Sequence, residues 1–297
     1  MQISRCTTSI LSCVLALSSC QALSSLDRGS IGAEGHRVYV PPVSNPLFHE
    51  TAHITTELRP MAMQNEIPDD FLTQGGDIRV YAAQARLALD DRLGFIATKD
   101  GYADLDFNAA LPDESGLVNV AAGLKYAFHS EPEAGEIASV GVKYEAPVGD
   151  LETGGISLQG DGDGFLDLFV AGEKRWERVG IAGNAGLNWA LDGDHDSSMA
   201  HYAVHADYAA TESFYPLVEL NGYTTVSEGS RLPGVDFEGL DLVNFGSESS
   251  GTVVTWALGF RQRLNEHALF GVAYEDTLTS REDILERRVI VDLVLHL

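Results

Sequence analysis

Apolar side chains recur at every second residue along most of this sequence. One parity of residues 117–128 is apolar and consists of Val118, Val120, Ala122, Leu124, Tyr126 and Phe128. The other parity includes Asn119, Gly123 and Lys125. Because successive side chains of a β-strand point to opposite faces, this alternation predicts a strand with one apolar and one polar face.

About 12 stretches show this pattern, while no segment combines a convincing 3.6-residue period with helix caps. The sequence therefore predicts an all-β fold. The stretches lie at residues 52–62, 77–89, 92–99, 117–128, 137–146, 165–176, 179–190, 200–210, 214–225, 252–264, 267–277 and 289–297.

Two architectures satisfy such strands. A soluble barrel or sandwich buries the apolar faces, whereas a transmembrane barrel turns them to lipid and keeps charges in its lumen. Stretches of 10–13 residues suit a tilted crossing of a bilayer. The last stretch runs to the final residue of the sequence and ends in an apolar side chain. Aromatic residues near the ends of the stretches would form an interfacial girdle; they are Tyr126, Phe128, Tyr144, Trp176, Trp189, Tyr208, Tyr223, Trp256 and Tyr274. We therefore predict a transmembrane-type antiparallel up-and-down β-barrel of about 12 strands.

Charge is distributed unevenly between the predicted strands and the segments that join them. The net charge is −25, and the inter-strand segments 100–114, 129–136, 149–164, 191–197 and 227–250 hold 20 acids against one base, Arg231. The polar strand faces carry acids and bases in nearly equal number. Such a balanced interior favours interlocked ion pairs or a narrow polar pore over a wide cation channel. The predicted lumen-lining residues are Lys125, Lys143, Glu145, Asp207, Glu219, Arg261, Arg263 and Asp292.

The beginning of the chain resembles an export signal. Arg5 precedes a mostly apolar stretch, residues 10–17, which is too short to span a bilayer. Leu17-Ser18-Ser19-Cys20 resembles the lipobox of bacterial lipoproteins, in which the cysteine is acylated; an ordinary signal peptide cut after Ala22 is the alternative. We predict a signal peptide at 1–19, an extended linker or lead-in at 20–49 and the barrel at 50–297.

Composition excludes several other classes. An apolar share of 44% is too high for a disordered chain, and the negative charge opposes nucleic-acid binding. The three cysteines, Cys6, Cys13 and Cys20, all precede the barrel, so the body has no disulfide, thiolate nucleophile or cysteine metal site.

Three segments carry a resemblance to known proteins: Ile-Thr-Thr-Glu-Leu-Arg-Pro at 54–60, Ala-Thr-Lys-Asp-Gly-Tyr at 97–102 and Pro-Leu-Val-Glu-Leu-Asn-Gly-Tyr at 216–223. They resemble a group of uncharacterised bacterial outer-membrane barrel proteins. More loosely, the chain is similar to the meta-pathway phenol-degradation outer-membrane family, which is associated with passage of hydrophobic aromatic molecules. The resemblance implies a barrel fold and an outer-membrane location in a Gram-negative-type envelope, and it brings no catalytic residues.

Two histidine pairs have the spacing of a metal site. His49-Glu50-Thr51-Ala52-His53 matches the H-E-x-x-H motif of zinc proteases, which requires a helix to bring both histidines to one ion. Prolines precede the motif, and Ile54-Thr55-Thr56 disfavours a helix after it. We therefore interpret it as a polar lead-in to the first strand. His201 and His205 lie on a predicted strand, where this spacing separates them by about 13 Å.

Acidic turns are the remaining candidates for ion binding. Asp161 and Asp163, in a Gly/Asp turn, half-resemble a calcium loop without its full spacing. Weak Ca²⁺ or Mg²⁺ binding at acidic loops, bridging them to lipopolysaccharide phosphates, is the expectation, and no cofactor is predicted.

Three functions fit these features. The leading one is a passive channel or transporter that moves small solutes through a polar lumen. The second is a non-enzymatic structural or surface-interaction barrel with a plugged lumen and acidic external loops, and the balanced lumen favours it over a wide channel. The third, a lipid-modifying barrel enzyme, has no motif to support it, and we predict no catalytic residue. The expected partners are outer-membrane lipid and small solutes.

Overall fold

The computed structural model describes residues 38–160 and 162–297, so the signal peptide and Cys20 lie outside the described residues. These residues form β-strands joined by turns and loops, and they contain no helix that is long and apolar enough to cross a membrane. The strands are β1 (Glu57–Ile67), β2 (Gly76–Ala88), β3 (Leu93–Lys99), β4 (Tyr102–Phe107), β5 (Glu114–Leu117), β6 (Val120–Glu131), β7 (Glu136–Ala146), β8 (Glu152–Thr153), β9 (Ile156–Ser157), β10 (Phe165–Arg175), β11 (Val179–Ala190), β12 (Ser198–Tyr208), β13 (Phe214–Ser227), β14 (Thr252–Asn265), β15 (Ala268–Thr277) and β16 (Arg287–His296).

The sheet closes into an antiparallel barrel of 12 strands because β1 pairs with both β2 and β16. Two of the 12 are interrupted. The first consists of β3 and β4, which pair with successive parts of β2. The second consists of β5 and β6, which pair with β4 and β3 respectively. The prediction of an all-β, transmembrane-type antiparallel barrel is confirmed.

The two ends of the barrel differ in their connections. At the end that we call the short-turn end, neighbouring strands are joined by residues 89–92, 132–135, 176–178, 209–213 and 266–267. At the opposite, long-loop end, the connections are residues 68–75, 108–113, 147–164, 191–197, 228–251 and 278–286. Most of the acidic segments that the sequence singles out lie at the long-loop end, whereas 129–136 lies at the other.

Strand β14 shows how the alternation is used. Val253, Thr255, Ala257 and Arg261 are buried inside the barrel. The side chains of the opposite parity are partly or fully exposed on its outer wall, and they are Val254, Trp256, Leu258 and Phe260. The same division on other strands places a belt of apolar side chains outside, including Leu124, Val140, Val142, Leu168, Val170, Val204, Leu220, Leu258 and Val289. Lipid tails can cover this belt favourably, whereas its exposure to water would be energetically costly.

Three local expectations were wrong. The first strand begins at Glu57 instead of residue 52, because the preceding residues lie inside the barrel. Segment 100–114, predicted as a connection, contains β4, since Tyr102–Phe107 extends the pairing with β2 towards the long-loop end. Tyr223 is not part of an outer girdle, because it shares the inward parity of Glu219 on β13 and is 1% exposed.

Candidate functional site

The lumen is occupied by residues 38–56, which we call the plug. All of them are buried except Val38, Leu47 and Thr56, which are partly buried. The plug starts near the short-turn end, where the ring of Tyr39 lies 5.6 Å from that of His296, the last residue of β16. It rises to a turn at Asn45, which has a φ of 48°, and returns to the same end to begin β1 at Glu57. The described part of the predicted lead-in, 38–49, thus lies inside the barrel.

Carbonyl groups of the plug prolines are held by donors from the barrel wall. Arg261 donates to the carbonyls of Pro41 at 2.9 Å and Pro42 at 2.6 Å, and Gln84 donates to that of Pro46 at 2.7 Å. Proline has a carbonyl acceptor but no N–H donor. A proline-rich segment buried in a barrel therefore needs a wall that supplies donors, and arginine and glutamine supply them here.

Backbone donors near the tip of the plug meet an acid of the wall. Glu219 of β13 accepts hydrogen bonds from the backbone N–H groups of Val43 at 2.9 Å and Ser44 at 2.7 Å, and from the Ser44 hydroxyl. His205 of β12 holds the same carboxylate at 2.7 Å. At these positions the wall supplies acceptors to donors of the plug and donors to its acceptors, as buried polar groups require.

The returning leg contains the H-E-x-x-H motif, and its three side chains go to different partners. Glu50 pairs with Arg86 and Lys125, His53 pairs with Glu173 at 2.8 Å, and His49 packs edge-on against His205 with 6.4 Å between ring centroids. No group of His, Cys, Asp and Glu within residues 38–160 and 162–297 could hold a metal ion. The motif residues anchor the plug and are not arranged as a zinc-protease site.

The structure places seven of the eight predicted lumen residues inside the barrel, each in a polar contact. Lys125 pairs with Glu50 at 2.7 Å, Lys143 with Asp167 at 2.9 Å and Glu145 with Lys99 at 2.5 Å. Asp207 pairs with Arg175 at 2.6 Å, Arg261 pairs with Asp292, and Glu219 holds His205 and the plug. Arg263 is only partly buried near the short-turn end.

Sequence reasoning missed several residues of the same network. Arg59, Gln84 and Arg86 lie on the inner faces of β1 and β2 and are nearly inaccessible to solvent. Their signal was the parity of those strands, since Gln84 and Arg86 are two residues apart. Asp292 of β16 accepts hydrogen bonds from Arg59 of β1 on one side and from Arg261 of β14 on the other, so one carboxylate holds two guanidinium groups.

The long-loop half of the lumen is closed by apolar packing. Loop 228–251 folds inward and packs Leu242, Val243 and Phe245 against the inner faces of β2 and β4, including Ile78 and Leu105. Phe48, at the tip of the plug, lies in a second cluster with Leu240 of this loop. The plug and the loop therefore meet inside the barrel.

Buried ion pairs order the loops at this end. Arg288, which is fully buried, donates to Glu275 of β15 at 2.7 Å and to Asp241 of loop 228–251 at 2.8 Å. Asp283 of loop 278–286 pairs with Arg281 at 2.8 Å, and burial raises the pKa of its carboxyl to about 6.

A cavity of about 50 Å³ remains where the plug approaches the loop. Its lining is mostly apolar and includes Pro46, Met61, Val80, Ala103 and Leu242. The described residues leave no continuous passage through the barrel, because the plug fills the lumen from one end and loop 228–251 fills it from the other.

The acidic turn that the sequence singled out is described only in part. Asp161 lies outside the described residues. The backbone carbonyl of Asp163 accepts a hydrogen bond from the Tyr144 hydroxyl at 2.9 Å, which ties this loop to the outer wall.

Comparisons with known proteins agree with this architecture. The chain is similar to the COG4313 outer membrane channel from Pseudomonas putida F1, with a TM-score of 0.59 and 14% identity over 87% of this chain and 100% of that one. It is also similar to the NanC porin, with a TM-score of 0.51 and 6% identity over 82% of this chain and 100% of the porin. The chain has the fold of an outer-membrane barrel. At these identities the likeness concerns the fold alone. No protein-family model matches the sequence, and no curated protein does.

Proposed function

We propose that the protein is a non-enzymatic, gated channel that passes small solutes across the outer membrane of a Gram-negative-type envelope, and that the plug closes it. The observation that carries this proposal is how the plug is held. It enters and leaves at the short-turn end, and residues 38–56 form none of the 12 strands. The plug can therefore withdraw without breaking the pairing that closes the barrel.

The contacts of the plug also suit reversible release. Beside apolar packing of Val43, Phe48 and Ile54, they include many hydrogen bonds and ion pairs to wall residues such as Glu219, Arg261 and Arg86. Water and dissolved ions can replace polar contacts of this kind once the lumen hydrates, whereas they cannot replace apolar packing. A barrel of this strand number can hold a small aqueous passage after release.

Orientation follows from the unequal ends. Bacterial outer-membrane barrels have short periplasmic turns and longer extracellular loops, so we place the long-loop end outside the cell and the plug entrance in the periplasm. The acidic outer loops, with Asp161 and Asp163, would contact lipopolysaccharide phosphates through Ca²⁺ or Mg²⁺. Acylation of Cys20 would anchor the mature N-terminus, and intact mass would detect the lipid.

The solute class is suggested by the resemblance to the meta-pathway phenol-degradation family. Phenol and small hydrophobic aromatic molecules are therefore the first solutes to test. The cavity beside Met61 and Val80 has a mostly apolar lining, but at about 50 Å³ it is too small for such molecules while the plug is in place.

The test is a reversible lock between plug and wall. The side chains of Ser44 and Asn221 are in contact, with Oγ and Nδ2 2.9 Å apart, and the described chain contains no cysteine. In the variant Ser44→Cys/Asn221→Cys, a disulfide should abolish conductance in planar bilayers and solute uptake by liposomes, and a reductant should restore both. Each single cysteine variant is the control. Equal conductance with the disulfide formed and reduced would contradict gating by the plug.

A closed structural barrel is the second candidate, and the filling of the lumen from both ends favours it. This candidate predicts a folded barrel, recognised by heat-modifiable gel migration, that conducts in neither state of the disulfide.

A further inference from the structure

Most buried bases of the barrel wall have an acidic partner that also belongs to the wall. Such pairs survive whether the plug is present or absent. They are Lys99 with Glu145, Lys143 with Asp167, Arg175 with Asp207, Arg59 and Arg261 with Asp292, and Arg288 with Glu275.

Arg86 and Lys125 are different because they depend on an acid of the plug. Arg86 donates to both carboxylate oxygens of Glu50, from Nε at 3.0 Å and Nη2 at 2.6 Å. Lys125 donates to Glu50 Oε1 at 2.7 Å and to the backbone carbonyl of Thr51, also in the plug, at 2.9 Å. Within residues 38–160 and 162–297, Glu50 is the only acid in ion-pair contact with Lys125.

Withdrawal of the plug would leave Lys125 without an acidic partner and Arg86 with Glu57 of β1 alone. While the plug is in place both cations are almost completely buried, at 4% and 1% exposure, and loss of the Glu50 carboxylate would leave an excess of positive charge in the lumen. Release of the plug is therefore easiest when another anion takes the place of the Glu50 carboxylate.

We propose that Arg86 and Lys125 form a carboxylate-binding site on the lumen wall, that Glu50 occupies it in the closed channel, and that a small organic carboxylate replaces Glu50 when the plug withdraws. This inference rests on the proposed function, since it names a ligand whose binding favours the open channel.

The geometry selects a planar carboxylate. The guanidinium of Arg86 contacts two oxygens at once, which is the fork that matches carboxylates, while Lys125 adds a point charge on one of them. Glu57 of β1 lies 3.3 Å from Nη1 of Arg86 and stays with the wall. Two bases and this one acid leave a single positive charge, which suits a monoanion better than a phosphate dianion.

Chemical rescue tests the site directly. The substitution Glu50→Ala removes the two carbon and two oxygen atoms of the side chain beyond Cβ, and acetate has the same four heavy atoms. Acetate should raise the thermal unfolding midpoint of the Glu50→Ala barrel by about 3 °C when it exceeds its dissociation constant about tenfold, relative to chloride at equal ionic strength. Inorganic phosphate should give a smaller rise.

Two controls locate the effect. Acetate should leave the midpoint of the wild type unchanged, because Glu50 already fills the site. The variant Glu50→Ala/Lys125→Met lacks the second cation and should lose most of the rescue. Equal midpoints of Glu50→Ala in acetate and chloride would overturn the proposal, as would equal rescue of the double variant.

A second measurement does not depend on a stable Glu50 variant. In planar bilayers, replacement of chloride by acetate should raise the open probability of the wild type severalfold, and Lys125→Met should remove that difference. An open probability that is the same in both salts would count against the site.

The two proposals fail separately. Rescue by acetate without conductance in any variant would leave the site standing and remove the channel. If the disulfide of the variant Ser44→Cys/Asn221→Cys controls conductance but acetate gives no rescue, the channel proposal stands and the carboxylate-site proposal fails.

Discussion

The short-turn half and the long-loop half of the lumen are filled by different kinds of contact. In the first, many donors and acceptors of the plug are paired with wall residues such as Glu219 and Arg261. In the second, loop 228–251 excludes water with Leu242, Val243 and Phe245. Polar matching depends on direction and distance, whereas apolar packing depends mainly on buried area. The polar half therefore discriminates what replaces its plug, and the apolar half can open wherever its loop moves away.

The largest effect is expected at the ion pairs that fasten loop 228–251 to the barrel wall. Arg288→Met would leave Glu275 and Asp241 buried without their cation, and we expect the free energy of unfolding to fall by about 3–5 kcal/mol. Urea unfolding followed by tryptophan fluorescence measures it. The neighbouring Arg287 pairs with Glu66 on the exposed face, so Arg287→Met should leave the free energy of unfolding nearly unchanged. Similar losses in both variants would refute the distinction between the inner and outer faces.

A smaller and more local effect is expected in the apolar half. Phe245 packs against Phe237 with 5.1 Å between ring centroids, and Phe245→Ala would leave a cavity worth about 3 kcal/mol. Because the loop is outside the strands, we expect faster proteolysis within 228–251 and little change in the unfolding midpoint of the barrel. The variant Phe245→Leu, which keeps most of the side-chain volume, should be cleaved by the protease more slowly than the alanine variant. A barrel that unfolds as readily as its loop opens would show that the two are one cooperative unit.

Loss of one acceptor should loosen the plug without disturbing the loop. Glu219→Gln weakens the two hydrogen bonds from the backbone N–H groups of Val43 and Ser44, and we expect the plug to open about tenfold more often. The maleimide reaction rate of a cysteine placed at residue 44 measures this opening. Glu145→Gln is the matched control, because Glu145 contacts Lys99 and Asn119 and not the plug. Equal reaction rates in the two variants would contradict specific matching of the plug by the wall.

The smallest expected effect is a pH dependence at the long-loop end. Burial raises the pKa of Asp283 to about 6, above the ordinary value of about 4. The carboxyl thus binds a proton more tightly when loop 278–286 is docked. Docking should be strongest below about pH 4, weaken as the pH rises through about 6, and change little above it.

Hydrogen exchange of the loop amides, corrected for intrinsic rates, measures this effect. We expect about tenfold more opening at pH 7 than at pH 4, and no such trend in Asp283→Asn. An opposite trend in the wild type would mean that the pairing of Asp283 with Arg281 outweighs burial.

The sequence predicted some features of the lumen and missed others. Strand alternation identified the inward positions of Lys143, Glu145 and Asp207 because parity is a local property of the backbone. It could not pair them, since partners such as Lys143 and Asp167 meet only through the register of separate strands. The burial of Tyr223 was missed because an aromatic residue near a strand end fits an outer girdle or an inner wall, and parity with Glu219 was the deciding signal.

The course of the plug had no local signal at all. Pro41, Pro42 and Pro46 predicted an extended, non-helical segment; residues 38–56 are non-helical, but they reverse direction through bends and a turn at 44–48. Their position inside the barrel depends on donors far along the chain, including Arg261, which lies 220 residues from Pro41.

By itself, the amino-acid sequence determined an all-β chain of about 12 strands with an apolar outer face and a charged inner one, because a period of two residues can be recognised from neighbouring residues alone. The tertiary structure alone decided what fills the interior and which charges meet. Ring closure brings together residues far apart in the chain, and the contacts that result, Glu50 with Arg86 and Lys125 among them, belong to the assembled barrel.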